Sequence, residues 1–152
     1  MKPVKQLIFK TDNNGVGDCL RACVASILEF SIEDVPNFIE WEQGNGEYLT
    51  VLNDFLGAYG YKALNVWFAD WDDPTNWKPP GYHMIYGYSE RGIKHAVVGF
   101  QGEMVFDPHP DGTGLTTVDS YTVLVASLAD PQYNHPEGDL ATGETSVRSS
   151  VL

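Results

Sequence analysis

An α+β domain is the fold class this sequence predicts, from three observations. Apolar residues recur at helical spacing through the first sixty positions, in Cys19 to Phe30 and again around Tyr48 to Tyr59. From Tyr61 the period changes to two, and strand-like runs follow one another to Ser127. Gln101-Gly102, between two of those runs, is a two-residue hairpin signal. Helices first and strands afterwards predict helices packed on an antiparallel meander in one domain over 1–128, followed by a polar C-terminal tail over 129–152.

Each element has its own justification. Leu20, Cys23, Val24, Ile27 and Leu28 fall at i, i+3, i+4, i+7 and i+8, which predicts a helix over Cys19 to Phe30. Gly15-Val16-Gly17-Asp18 is a turn-forming lead-in, with Asp18 expected as the N-cap. Ser31 to Asp34 predicts a short capped turn, stopped by Pro36. Tyr48, Val51, Leu52, Phe55, Leu56 and Tyr59 make one apolar stripe, and Gly60 is a natural stop. Alternation from Tyr61 to Phe68 predicts a strand; Ala69 to Gly81, rich in Asp, Trp and Pro, predicts a loop. Strands are expected at Tyr82–Tyr88, Lys94–Phe100, Glu103–Phe106 and Tyr121–Ser127, with a longer turn at Ser89–Gly92. From Ala129 the chain turns to Asp, Pro, Gly, Thr and Ser without periodicity, so the tail is expected to be disordered unless a neighbouring subunit orders it.

Composition narrows the function. The chain has 152 residues, 43% of them hydrophobic and 12% aromatic, enough for a core without staples. No apolar run reaches the roughly 18–20 residues of a membrane span, and no membrane partner is expected. Met1 to Lys10 lacks the features of a secretory signal, and two cysteines cannot staple a secreted scaffold, so a cytoplasmic location is expected. Nine Lys plus Arg against 21 Asp plus Glu gives 9 − 21 = −12, a charge that repels phosphate backbones and argues against nucleic acid.

Cys19 stands at a predicted helix start behind a glycine-rich turn, where unpaired N–H groups and the helix dipole favour a negative sulfur. Burial as an ordinary packed cysteine is the plainer alternative. Cys23 lies inside the apolar stripe and is expected in the core, with no catalytic role. His95 opens an apolar strand, and Asp107 follows twelve residues later at the end of the next one. The tight hairpin between those strands puts His95 and Asp107 side by side, with the carboxylate orienting the imidazole. Singly, each is most simply a satisfied histidine and a turn aspartate. A thiol, an imidazole and a carboxylate together follow the nucleophile, base and orienter logic of acyl transfer.

A competing metal reading groups His95, Asp107 and His109, with His83, as a two-histidine-one-carboxylate set. The spacings match no familiar metal motif, so neither metal nor other cofactor is expected. His109, between two prolines, is instead expected on a rigid loop contacting substrate. Asp70, Asp72 and Asp73 around Trp71, with Trp77 nearby, lack the glycine and terminal glutamate of a calcium loop. They predict either a solvated loop anchored by tryptophan or a cleft wall, with Trp71 on substrate, that prefers basic or aromatic groups.

Asp18-Cys19-Leu20-Arg21-Ala22-Cys23, His95-Ala96-Val97-Val98 and Asp107-Pro108 together resemble the papain-like cysteine peptidases. The nearest variety is the compact bacterial and phage group similar to bacteriocin-leader peptidase domains. The resemblance spans about Asn13 to Pro110 and implies a papain-like fold with the cysteine-bearing helix first. It implies Cys19 as nucleophile, His95 as general base and acid, and Asp107 as the orienting residue. The family also places an oxyanion-hole glutamine a few residues before the cysteine. No glutamine stands there, and Gln6 is expected to be too far upstream, so Asn13 or Asn14 is the expected amide donor beside the Cys19 N–H.

Two functions follow. One is cysteine-dependent hydrolysis of an amide, most simply in a peptide or protein substrate, through a Cys-His-Asp triad and a thioester. The other is a silent papain-like fold serving as a structural or binding subunit of a larger assembly, such as a phage particle, whose neighbours order the tail. An enzyme needs an open cleft with Cys19 and His95 in contact.

Overall fold

A computed structural model describes residues 1–10, 16–41, 46–67 and 77–127. It is an α+β architecture in which helices cover one face of an antiparallel sheet. Helix α1, Cys19–Leu28, buries Leu20, Cys23 and Val24 of the predicted stripe. It stops two residues short of Phe30, because Glu29 turns left-handed at φ 61° and the Phe30 N–H bonds the Ala25 carbonyl. No glycine marks that closure. One 3-10 turn, Ile32–Asp34, fits the turn predicted before Pro36, and a second, Phe38–Trp41, places the fully buried Phe38. Helix α2, Glu47–Gly57, buries Leu52 and Leu56, and Gly60 follows at φ 78°, a conformation that glycine adopts without strain.

The strands are β1 (Tyr61–Trp67), β2 (Tyr82–Tyr88), β3 (Lys94–Phe100), β4 (Glu103–Phe106) and β5 (Ser120–Ala126). Every pairing is antiparallel, but the order is β1-β5-β2-β3-β4, so the expected simple meander is corrected. The last strand returns to lie between the first two. Segment 115–119 guides it there: Thr116 N–H bonds the Tyr88 carbonyl at 2.7 Å, and Asp119 N–H bonds that of Tyr86 at 2.8 Å. Gly87 makes this possible, since a Cβ there would meet the Thr117 carbonyl oxygen at 1.7 Å.

Alternation along the strands divides the core. Met84, Ala96 and Val98 pack with Leu20, Val24 and Leu52 in the main cluster beneath the helices. Ile85, Val97 and Tyr121 form a smaller cluster with Val66, Trp77 and Leu115 packed against it. Trp77 therefore anchors the end of its loop. Gln101 and Gly102, both at positive φ (51° and 85°), make the tight hairpin that the sequence predicts between β3 and β4.

An N-terminal strap ties the helix to the sheet. Lys2 N–H bonds the Ser26 carbonyl and Val4 N–H the Ser26 hydroxyl, both at 2.9 Å. Nearer the start of α1, Leu7 and Ile8 N–H groups donate to the Asp18 carboxylate at 3.0 and 2.8 Å. Residues 1–8 thus run alongside α1 in the opposite direction. From the strap's other side, Gln6 N–H reaches the Pro108 carbonyl at 3.1 Å.

Candidate active site

Cys19 is the first residue of α1 and is partly exposed. Its position leaves its N–H without an intrahelical acceptor, and no described residue accepts from it. Asp18 occupies the N-cap position but does not cap the helix as expected. Its fully buried carboxylate holds Leu7 and Ile8 of the strap instead, with Arg21 at 3.8 Å. The strap competes for this acceptor at long sequence range, and local helix-start patterns carry no sign of it.

His95 and Asp107 meet as the hairpin predicts: His95 Nε2 lies 2.7 Å from Asp107 Oδ1, and both residues are 5% exposed. Cys19 is near enough to the same imidazole to raise its pKa, and with Nε2 engaged by Asp107 the nitrogen left for sulfur is Nδ1. Burial works to lower the His95 pKa, but the hydrogen bond that the imidazole donates to Asp107 and the interaction with Cys19 together outweigh it and hold it at about 9. Burial likewise opposes ionisation of Asp107. The His95 bond outweighs it, helped by the His109 and Gly114 N–H groups, each at 2.8 Å, so the carboxyl titrates below its ordinary range. Lys5 Nζ fixes this turn from outside, donating to the carbonyls of Asp107 and His109 at 3.0 and 3.1 Å.

Cys23 is fully buried one turn along α1. Burial first, then the nearby Cys19 and Asp107, push its thiol well above the ordinary range, which suits a packing role.

A cavity opens over Cys19 and His95, and Gln6, Tyr86 and His109 also line it. Gln6 corrects the expectation that it lies too far upstream. The separation in sequence is closed by the strap, which folds back over Asp18 and brings the buried Gln6 into the lining of the cavity that Cys19 also lines. Its Nε2 donates one hydrogen to the Ile8 carbonyl at 2.9 Å, and no described residue takes the second. Its buried Oε1 likewise has no partner among the described residues. The signal available in the sequence was its residue type alone, since spacing from Cys19 does not reveal a chain reversal.

His109 lines the cavity, its ring 6.1 Å from that of His95 and edge-on to it. Its Nδ1 lies 2.8 Å from Asp111 Oδ1. His83 does not join the other histidines. It sits four positions along β2 from Gly87, the partner of His95, or about 13 Å at ordinary strand rise. There it is buried against Gly99 and bonds the Gly81 carbonyl at 3.0 Å. Among the described residues no group of three His, Cys, Asp or Glu is arranged to hold a metal ion. Asn13, Asn14, Asp70, Trp71, Asp72, Asp73 and the 129–152 tail lie outside the described residues. No described helix is long and apolar enough to cross a membrane.

No known family, curated protein or solved structure matches the chain.

Proposed function

We propose that the protein is a cysteine hydrolase of papain-like fold that cleaves an amide bond, most simply in a peptide or protein. The observation that carries this reading is the buried His95 held between Asp107 and Cys19 at the floor of an open cavity. A structural histidine needs one satisfied partner. Here the imidazole has a carboxylate on one nitrogen and a partly exposed cysteine near the other, and both His95 and Cys19 line the cavity.

The geometry suits the following chemistry. With its pKa at about 9, His95 is imidazolium at neutral pH, and the nucleophile of this mechanism is the Cys19 sulfur as thiolate, the form that a neighbouring positive charge favours. Sulfur attacks the carbonyl carbon, a C–S bond forms, and the carbonyl π electrons move to oxygen. The second Gln6 Nε2 hydrogen and the Cys19 N–H are the donors available to that oxyanion. His95 gives its proton to the amide nitrogen, the C–N bond breaks, and a thioester remains. Water then attacks the thioester, His95 takes a proton from it, and the C–S bond breaks to release the acid.

Iodoacetamide labelling, followed at Cys19 and Cys23 by peptide mass spectrometry, tests the pair. Cys19 is expected to label at pH 6 at least about tenfold faster than an ordinary free thiol of pKa about 8.5, and to lose that advantage in His95→Ala. Buried Cys23 serves as the slow internal reference. Slow labelling of Cys19 that is indifferent to His95→Ala would remove the catalytic reading. A silent subunit of a larger assembly would then be the better description.

A further inference from the structure

The cavity wall differs in charge from the rest of the molecule. The chain carries 9 basic and 21 acidic residues, yet among the described residues the lining includes Lys10, Arg91 and Lys94 and no Asp or Glu. Chance placement in so acidic a protein would favour the opposite sign.

The three cations are not equivalent. Lys94 Nζ is drawn to Asp119 and over the Tyr88 ring, 4.3 Å from its centroid. Arg91 pairs with Asp111 through Nη1, which also lies 3.4 Å from His109 Nδ1. Its Nε and Nη2 groups, three of the five guanidinium donors, have no described acceptor. His109 is the ring between this guanidinium and His95. Lys10, on the strap's side of the cavity, pairs with no carboxylate among the described residues. Arg91 therefore offers guanidinium donors without a described acceptor, and Lys10 a charge without a described carboxylate partner, to the cavity that Cys19 lines.

We infer that the site selects substrates carrying an anionic group close to the scissile amide, a carboxylate such as an acidic side chain or a chain terminus, held by Arg91 and Lys10. The inference rests on the hydrolase reading and names its substrate class. It runs opposite to the preference for basic groups expected from the acidic Asp70–Asp73 loop, which lies outside the described residues.

Two alkylating reagents of nearly equal size separate charge from reactivity. Iodoacetate is anionic and iodoacetamide neutral, and both report at Cys19. A charged His95 favours iodoacetate by itself, so the readout is how the ratio of the two rates changes when cations are removed from the wall. The ratio is expected to fall roughly three- to tenfold in Arg91→Gln and in Lys10→Gln, and to be held by Arg91→Lys. Lys62→Gln, on the strand at the far edge of the sheet, serves as the control and is expected to leave it unchanged. A ratio unmoved in both variants, with iodoacetamide labelling still dependent on His95, overturns the anion preference and leaves the hydrolase reading standing. Labelling that is slow with both reagents and indifferent to His95→Ala removes the hydrolase reading and this inference with it.

Discussion

At the scale of single residues, Cys19 and Gln6 divide the work in different ways. Alkylation of Cys19 needs only a reactive sulfur, whereas acylation also builds an oxyanion. Gln6→Ala is therefore expected to slow acylation by p-nitrophenyl acetate roughly 100- to 1,000-fold, and alkylation by iodoacetamide far less. Equal losses in both assays would show that Gln6 shapes the site without donating to the oxyanion. His95 and Asp107 were legible beforehand because a tight hairpin brings the outer ends of its two strands together, although an irregularity between Val98 and Gly99 shifts the register before it reaches them. Gln6 was not, because no local pattern encodes how far a strap folds back.

At the scale of elements, Asp18 is the joint between α1 and the strap. Its carboxylate is wholly buried and accepts from two strap N–H groups, so removing it strands both donors. Asp18→Ala is expected to cost about 3 kcal/mol in urea denaturation, and Asp18→Asn about half as much, because an amide oxygen still accepts. A cost under about 0.5 kcal/mol for Asp18→Ala would mean that the strap's other bonds, among them those to Ser26 and Pro108 and the Asp18 N–H to Ile8, suffice to hold it. Helix and strand identities followed from the sequence period, while several ends did not. Glu29 closes α1 in a left-handed conformation that its residue type does not announce, and β5 begins one residue earlier than its apolar run.

At the scale of the whole molecule, the site couples stability to pH. His95 rises from its ordinary 6.5 to about 9 on folding, so the folded state binds its proton more tightly than the unfolded chain. That contribution is fully present below pH about 6.5 and is lost as pH rises through about 9. A rise of this size corresponds to about 3 kcal/mol, and urea denaturation between pH 6 and 10 is expected to show a decline of up to that amount. His95→Gln should flatten this decline. Asp107 acts in the other direction: its depressed pKa adds stability above the ordinary carboxylate range, which is lost as pH falls through the folded value. If the alkaline decline is as large in His95→Gln as in the natural chain, other groups carry it and the charged pair contributes little.

Sequence alone determined the α+β class, the helix-borne Cys19, the core position of Cys23 and the pairing of His95 with Asp107. Each depends on periodicity or on a short turn, and such local rules act between residues close along the chain. Tertiary structure decided the insertion of β5 between β1 and β2, the capture of the strap by Asp18, the arrival of Gln6 in the cavity lined by Cys19 and the gathering of Lys10, Arg91 and Lys94 around it. Those depend on which distant segments meet. Burial and backbone hydrogen bonding across the whole molecule select that outcome, and no window of neighbouring residues contains it.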